Sequence, residues 1–254
     1  MNVQPNKFLT ALRAGKPQIG VWVGLSSPFA AEIIAGAGFD WAMVDMEHSP
    51  NDLISVLGQL QAFAGYETTA MVRPEWNDPV LVKRLLDIGA QGLLFPMVQS
   101  VAEAQKAVSS TRYPPHGIRG VSTSTRANKF GRVGDYFTKS EPELAVLLQV
   151  ETQAAVMLAD QIGRVQGCDG VFFGPADIGA DMGILGQPGD PRIWDFILPV
   201  ARKLIAQGIP VGTLTGDTAL ARRLLDEGFT FVACGVDTVV LSKGVDAIVA
   251  TMKG

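Results

Sequence analysis

Short apolar runs alternate along the chain with longer amphipathic stretches, and the alternation repeats eight times. The apolar runs are IGVWVGL (19–25), WAMVD (41–45), TTAMVR (68–73), GLLFP (92–96), LAVLLQVE (144–151), GVFF (170–173), PVGTL (210–214) and FTFVACG (229–235). They are nearly continuously apolar, the pattern of strands in a parallel sheet covered by helices. Between them, DPVLVKRLLDIG, SVAEAQKAVSS and DTALARRLLDEG carry helical periodicity, and several such stretches end in glycine, a common helix stop.

The fragments GFDWAMVD, GAQGLLFP, GCDGVFFG and GFTFVACG share one plan: a helix stop, a tight turn, then a buried strand. Eight units with no break in composition predict one α/β domain over residues 1–254, a closed (β/α)8 barrel rather than an open doubly wound sheet. No GxGxxG follows the first strand, so the dinucleotide-binding fingerprint is absent. The segment 113–142 is too long for an ordinary barrel connection and is a candidate functional element.

Composition narrows the partners. The chain has 254 residues, 47% of them hydrophobic, enough for a large single core. A net charge of −4, from 21 basic and 25 acidic side chains, leaves no footprint for nucleic acid or an anionic membrane. A small anionic substrate would therefore need local positive charge, from an arginine or a metal. Cys168 and Cys234 lie far apart in apolar settings and read as buried free thiols, as in a reducing cytosol. The N-terminal segment lacks the apolar stretch of a signal peptide, and no uncharged apolar run could span a bilayer. A soluble, cytoplasmic protein is expected.

Active sites of such barrels sit at the C-terminal ends of the strands. Asp45, Arg73 and Glu151 end the second, third and fifth strands, and Asp177 follows the sixth in FFGPADIG. The opposite ends carry far less charge, and this one-sidedness points to an enzyme. A period of two puts Leu147, Gln149 and Glu151 on one face, directed into the barrel. Asp177 comes from the neighbouring exit loop. Two carboxylates about 4 Å apart repel by about 4 kcal/mol at an effective dielectric near 20. One must take a proton, or a cation must join them. Oxygen-only ligation favours a hard divalent ion such as Mg2+ or Mn2+. The alternative is that Asp177 caps its helix and Glu151 pairs with an arginine.

Arg73 is either an anion clamp beside that ion or a salt-bridged rim residue. His48 is either structural or an acid/base group oriented and charged by Asp45. Glu47 is expected to face solvent or a neighbouring loop, and His116 the surface. The N–H groups of Ala176 and Asp177 open a helix and suit a carboxylate. No lysine stands at a strand end, which argues against a Schiff base.

In order and spacing, GVWVGLSSPFAAEIIAGAGFDWAMVDMEHSPND, VRPEWNDPVLVKRLLDIGAQGLLFPMV, YPPHGIRGVS, QVET and VFFGPADIGADMG resemble the pyruvate-dependent class II aldolases, the HpcH/HpaI aldolase family. The match runs over roughly residues 18 to 240. It implies a TIM barrel of the phosphoenolpyruvate/pyruvate type that reversibly cleaves 4-hydroxy-2-oxo acids, through a metal-bound enolate, to an aldehyde and pyruvate or hydroxypyruvate. On the matching positions it implies that Glu151 and Asp177 hold Mg2+, Mn2+ or Co2+ and that Arg73 polarises the pyruvyl oxygen. It implies an acid/base role for His48 oriented by Asp45, a substrate contact from Gln149, and capture of the pyruvate carboxylate by the Ala176 and Asp177 N–H groups. Trp22 completes the expected substrate contacts. Asp87 would reach the site of an adjacent subunit in a homohexamer that exchanges its last helix, about 237–252. Neither nucleic acid nor membrane is an expected partner. The rival readings are a related CoA-ester lyase or oxaloacetate decarboxylase, and a catalytically silent barrel that binds a 2-oxo acid. No basic groove for the nucleotide of CoA is evident, and the complete Glu–Asp–His set argues against the silent barrel.

Overall fold

A computed structural model describes residues 1–254. Eight parallel strands close on themselves in chain order. They are β1 (Gln18–Val23), β2 (Trp41–Asp45), β3 (Thr69–Arg73), β4 (Gly92–Phe95), β5 (Ala145–Val150), β6 (Gly170–Phe173), β7 (Val211–Leu214) and β8 (Phe231–Val236). All eight predicted strands are present, with ends shifted by no more than two residues. β4 stops before Pro96, whose missing N–H cannot extend a ladder.

The helical stretches form where periodicity placed them. Helices Pro79–Asp87, Val101–Thr111 and Thr218–Asp226 start one residue into each, and the opening polar residues Asp78, Ser100 and Asp217 cap them by accepting backbone N–H groups. The glycines that open the four recurring fragments, Gly38, Gly89, Gly167 and Gly228, all lie at φ between 92° and 101°. That left-handed region carries a steric penalty for any residue with a Cβ. Each glycine turns the chain from a helix end into the next strand.

Alternation along the strands produces two cores. One face packs on the outer helices; the other fills the barrel with Trp22, Trp41, Met43, Met71, Leu94, Leu147, Phe172 and Phe231. The N-terminal helix Lys7–Arg13 inserts Phe8, Leu9 and Leu12 from below and plugs that end. Phe8, Trp41 and Phe231 meet edge to face, with ring centroids 5.8–6.3 Å apart. These rings fit because Gly20 and Gly212 face them. A Cβ at Gly212 would overlap the Phe231 ring and approach the Phe231 carbonyl oxygen at 2.5 Å. Gly212→Ala is expected to cost about 1–3 kcal/mol by overpacking. The check is a lowered urea midpoint at unchanged m-value; an unchanged midpoint would show that the interior has slack.

The segment 113–142 is ordered by its own contacts. It holds a short helix, Tyr136–Lys139, and a loop in which Asn128 accepts the N–H groups of Thr125 and Gly131. From it, Arg126 donates to the carbonyl of Ile88 at 2.7 Å, closing the C-terminal end of helix Pro79–Asp87.

The last helix, Asp237–Lys253, stands apart from the barrel wall. It exposes Val239, Val240, Val245, Ile248 and Val249, and its single buried residue is Asp237. The Asp237 carboxylate accepts the N–H groups of Gly24 and Leu25, at 2.8 and 3.0 Å, just beyond β1. No helix of the chain is long and apolar enough to cross a membrane.

Candidate active site

With the bottom plugged, the polar residues gather at the other end. β2 and β3 run in register to their last pair, Asp45 opposite Arg73. Both belong to the inward sets, two residues beyond Met43 and Met71. Arg73 grips Asp45 side-on, Nε donating to Oδ1 at 2.8 Å and Nη2 to Oδ2 at 2.7 Å. Its guanidinium lies 5.1 Å over the buried ring of Trp22. Burial alone would raise the Asp45 pKa, but the hydrogen bonds and charge of Arg73 outweigh it and leave the carboxyl below its ordinary value.

Two expectations are corrected here. The Asp45 carboxylate does not meet the His48 ring: it accepts from Arg73 and from the Glu47 N–H, at 3.0 Å, and faces His48 only through the His48 backbone N–H. Glu47 does not face solvent. Its side chain is 13% exposed, turned inward to Arg73 Nη1 at 2.8 Å, and the carboxylate nearest His48 is Glu47, 3.8 Å from Nε2. The His48 ring itself is 64% exposed at the rim.

Glu151 lies just past β5 and is fully buried, with Gln149 behind it on the same inward face. Oε2 accepts the Met97 N–H at 2.6 Å, and Oε1 accepts from the Gln149 amide. Met97 itself holds a left-handed φ of 51°. Burial, with Glu47 and Asp177 adding their negative charge against the help of Met97 and Gln149, pushes the Glu151 carboxyl up to about 7. Neither element of the bland alternative holds. No arginine pairs with Glu151, and the helix Pro175–Asp181 starts at Gly174 with no side-chain cap. Asp177 sits exposed in its first turn, after Ala176.

Gly174, which pattern reading passed over, makes the space. A Cβ there would fall 2.9 Å from Glu151 Oε1 and 3.3 Å from Gln149 Nε2. Gln149 Oε1 is buried without a hydrogen bond. The mouth thus combines the carboxylates Glu47, Glu151 and Asp177, mutually repelling, with a single guanidinium already committed to Asp45. Oxygen-only donors, excess negative charge and a clearing kept by a glycine fit a hard divalent cation with open coordination positions. Glu151 and Asp177 would hold it.

Asp87 is not part of this cluster within one chain. It ends helix Pro79–Asp87 and pairs with the buried Arg119 at 3.1 Å. His116 is exposed, as expected, 3.8 Å from Glu141. Cys168 and Cys234 are free, and burial pushes the Cys168 thiol up to about 12.

Known proteins share this arrangement of chain and fold. A family model described as HpcH/HpaI aldolase/citrate lyase matches residues 18–243. A pyruvate aldolase from Rhizobium etli is 50% identical over 250 residues, covering 98% of each chain. A 4-hydroxy-2-oxo-heptane-1,7-dioate aldolase from Escherichia coli is 49% identical over 246 residues, 96% of this chain and 94% of the other. The crystal structure of an HpcH/HpaI aldolase/citrate lyase family protein from Burkholderia cenocepacia J2315 covers 98% of this chain with 100% of its own, at a TM-score of 0.93 and 36% identity. Every mouth residue from Trp22 to Asp177 lies within the matched span, and the chain belongs to the HpcH/HpaI aldolase/citrate lyase family.

Proposed function

We propose that the protein is a pyruvate-forming aldolase, cleaving 4-hydroxy-2-oxo acids reversibly to an aldehyde and pyruvate or hydroxypyruvate. The observation that carries this reading is the placement of an uncompensated Glu151–Asp177 carboxylate pair beside an arginine locked against Asp45. The names of the relatives from Rhizobium etli and Escherichia coli support it.

A divalent cation (Mg2+, Mn2+ or Co2+) held by Glu151 and Asp177 would supply Lewis-acid polarisation of the 2-oxo group. The N–H groups of Ala176 and Asp177, at a helix start, receive the substrate carboxylate. Gln149 offers its unpartnered Oε1, and Trp22 floors the pocket under Arg73. Arg73 spends Nε and one Nη2 N–H on Asp45, so Nη donors remain for the oxygen on which negative charge develops. His48 takes the proton of the C4 hydroxyl as the C3–C4 bond breaks. The electron pair passes into the enolate of pyruvate, the aldehyde leaves, and protonation at C3 completes the methyl group.

We read the assembly as a homohexamer in which the last helix seats on a neighbour and Asp87 faces a neighbour's site. The exposed apolar residues of that helix and the one-quarter-exposed Asp87 carboxylate support this. The two free thiols fit the cytoplasm.

His48→Ala tests the division of labour. Cleavage is expected to fall about 100-fold or more, the usual worth of a positioned acid/base group. Exchange of pyruvate methyl protons with D2O, followed by NMR, should fall less. Equal losses would show that the histidine also deprotonates pyruvate and would overturn this assignment.

A further inference from the structure

We propose that Arg119 is the positioning residue of Asp87, and that the long segment 113–142 is the clamp that presents this carboxylate to the neighbour's site; this rests on the placement of Asp87 proposed above.

Three observations carry it. The first is convergence. The segment sends three donors to the end of helix Pro79–Asp87: Arg119 Nη2 to Asp87 Oδ1 at 3.1 Å, the Ala127 N–H to the Asp87 carbonyl at 3.1 Å, and Arg126 Nη1 to the Ile88 carbonyl at 2.7 Å. One loop thus holds both the backbone and the side chain of Asp87. The fit is close, since a Cβ at Gly89 would fall 2.7 Å from Arg126 Nη1 and one at Gly120 3.0 Å from Lys83 Cδ. The second is the setting of the arginine. Its side chain is 3% exposed, its guanidinium lies 4.5 Å over the Tyr113 ring, and Tyr136 Oη stands 3.5 Å from Nη2. Phe137 packs edge-on against both tyrosines. A guanidinium stacked on a ring and hemmed by packed aromatics has little freedom left to lose when it bonds its target. The third is asymmetry. Arg73 closes on both oxygens of Asp45, whereas Arg119 takes Oδ1 alone and no hydrogen bond reaches Asp87 Oδ2. The carboxylate is one-quarter exposed while its partner is buried. A pair built for charge balance alone would use the whole fork. One held oxygen and one free oxygen suit a carboxylate aimed at a donor outside its own chain.

The location of Asp87 explains the need for a holder. A helix C-terminus carries partial negative charge, which repels a carboxylate placed there. Arg119 and Arg126 offset that repulsion together, one on the carboxylate and the other on the carbonyl of the next residue.

The experiment starts from Arg119→Met, which keeps an apolar stem and removes the donor, measured on the Mg2+-loaded oligomer beside Asp87→Asn and the pair. Arg119→Met is expected to lower the kcat of cleavage about 10- to 100-fold, the cost of a misplaced group. In the Asp87→Asn background the same change should cost almost nothing more. Losses that multiply, or unimpaired cleavage in Arg119→Met, would each overturn the inference. A harmless Asp87→Asn would sink the placement of Asp87 and this inference with it; a damaging Asp87→Asn beside a harmless Arg119→Met sinks the inference alone. Complementation separates positioning from a merely structural role. Arg119→Met and Asp177→Ala chains, carrying different tags, are co-expressed and the doubly tagged oligomer is purified. In it the intact site of an Arg119→Met chain is served by the well-held Asp87 of an Asp177→Ala neighbour, so cleavage is expected to rise above that of either parent oligomer. No rise would overturn the inference, because a neighbour cannot repair a fault confined to the chain's own barrel. Should Arg119→Met fold or assemble poorly, Tyr113→Leu removes the ring under the guanidinium and leaves donor and carboxylate in place. It is expected to show a smaller loss with the same rescue, and unimpaired cleavage there would overturn the proposal.

Discussion

Arg73→Ala is expected to depress aldol cleavage and pyruvate methyl exchange together, by about 100- to 1000-fold, the usual loss when one preorganised donor to a developing oxyanion is removed. Both reactions pass through the same enolate, so neither should be spared. The variant carries a second penalty. Asp45 is 2% exposed and the Glu47 side chain 13%, and both would lose their cation. Breaking a buried ion pair in this way costs about 3–5 kcal/mol. Thermal or urea unfolding must therefore be measured beside the kinetics. Arg73→Lys separates the two effects. It restores charge between the carboxylates and should recover much of the stability, but without the planar fork it should recover little activity. Exchange that survives Arg73→Ala while cleavage is lost would remove the arginine from the enolate and refute this assignment.

Removal of divalent metal is expected to lower activity by about 1000-fold or more, because several kcal/mol of charge stabilisation would go with it. Mg2+, Mn2+ or Co2+ should restore it. Asp177→Ala is the cleaner variant: the side chain is exposed in the first turn of its helix, so the barrel should melt as the wild type does while Mn2+ affinity, read by electron paramagnetic resonance, is lost. Glu151→Ala removes a buried carboxylate from between Met97 and Gln149 and should disturb both metal binding and local order. Full activity in protein shown by elemental analysis to be metal-free would overturn the mechanism.

The barrel was legible because its physics is periodic. Apolar strands, helices capped by Asp78, Ser100 and Asp217, and glycines at a fixed place before the strands each leave a mark at a known spacing. The site was legible where the same periodicity applies: Asp45, Arg73 and Glu151 are inward residues at strand ends. It failed where adjacency along the chain stood in for adjacency in space. Asp45 and His48 are three residues apart, yet the partner of Asp45 is the residue opposite it across the ladder. Strand alignment would have shown this. Gly174 and Met97 escaped for another reason. One acts by lacking a side chain and the other through its backbone N–H, and residue type announces neither. The faint signals were positional: Gly174 is two past the inward Phe172, and Met97 follows the proline that ends β4.

The last helix, with its apolar side uncovered, springs from Asp237, the residue that pins the Gly24–Leu25 backbone over the mouth. If a neighbouring subunit is what holds that helix, its grip is transmitted to the rim of the site through a single carboxylate. A newly made chain would then lack both the neighbour's Asp87 and this hold on its own rim, which would stay slack until it is claimed by its siblings. Such a lock would keep a reactive enolate from forming on an unfinished particle, and dilution would silence the enzyme well before any strand of the barrel let go.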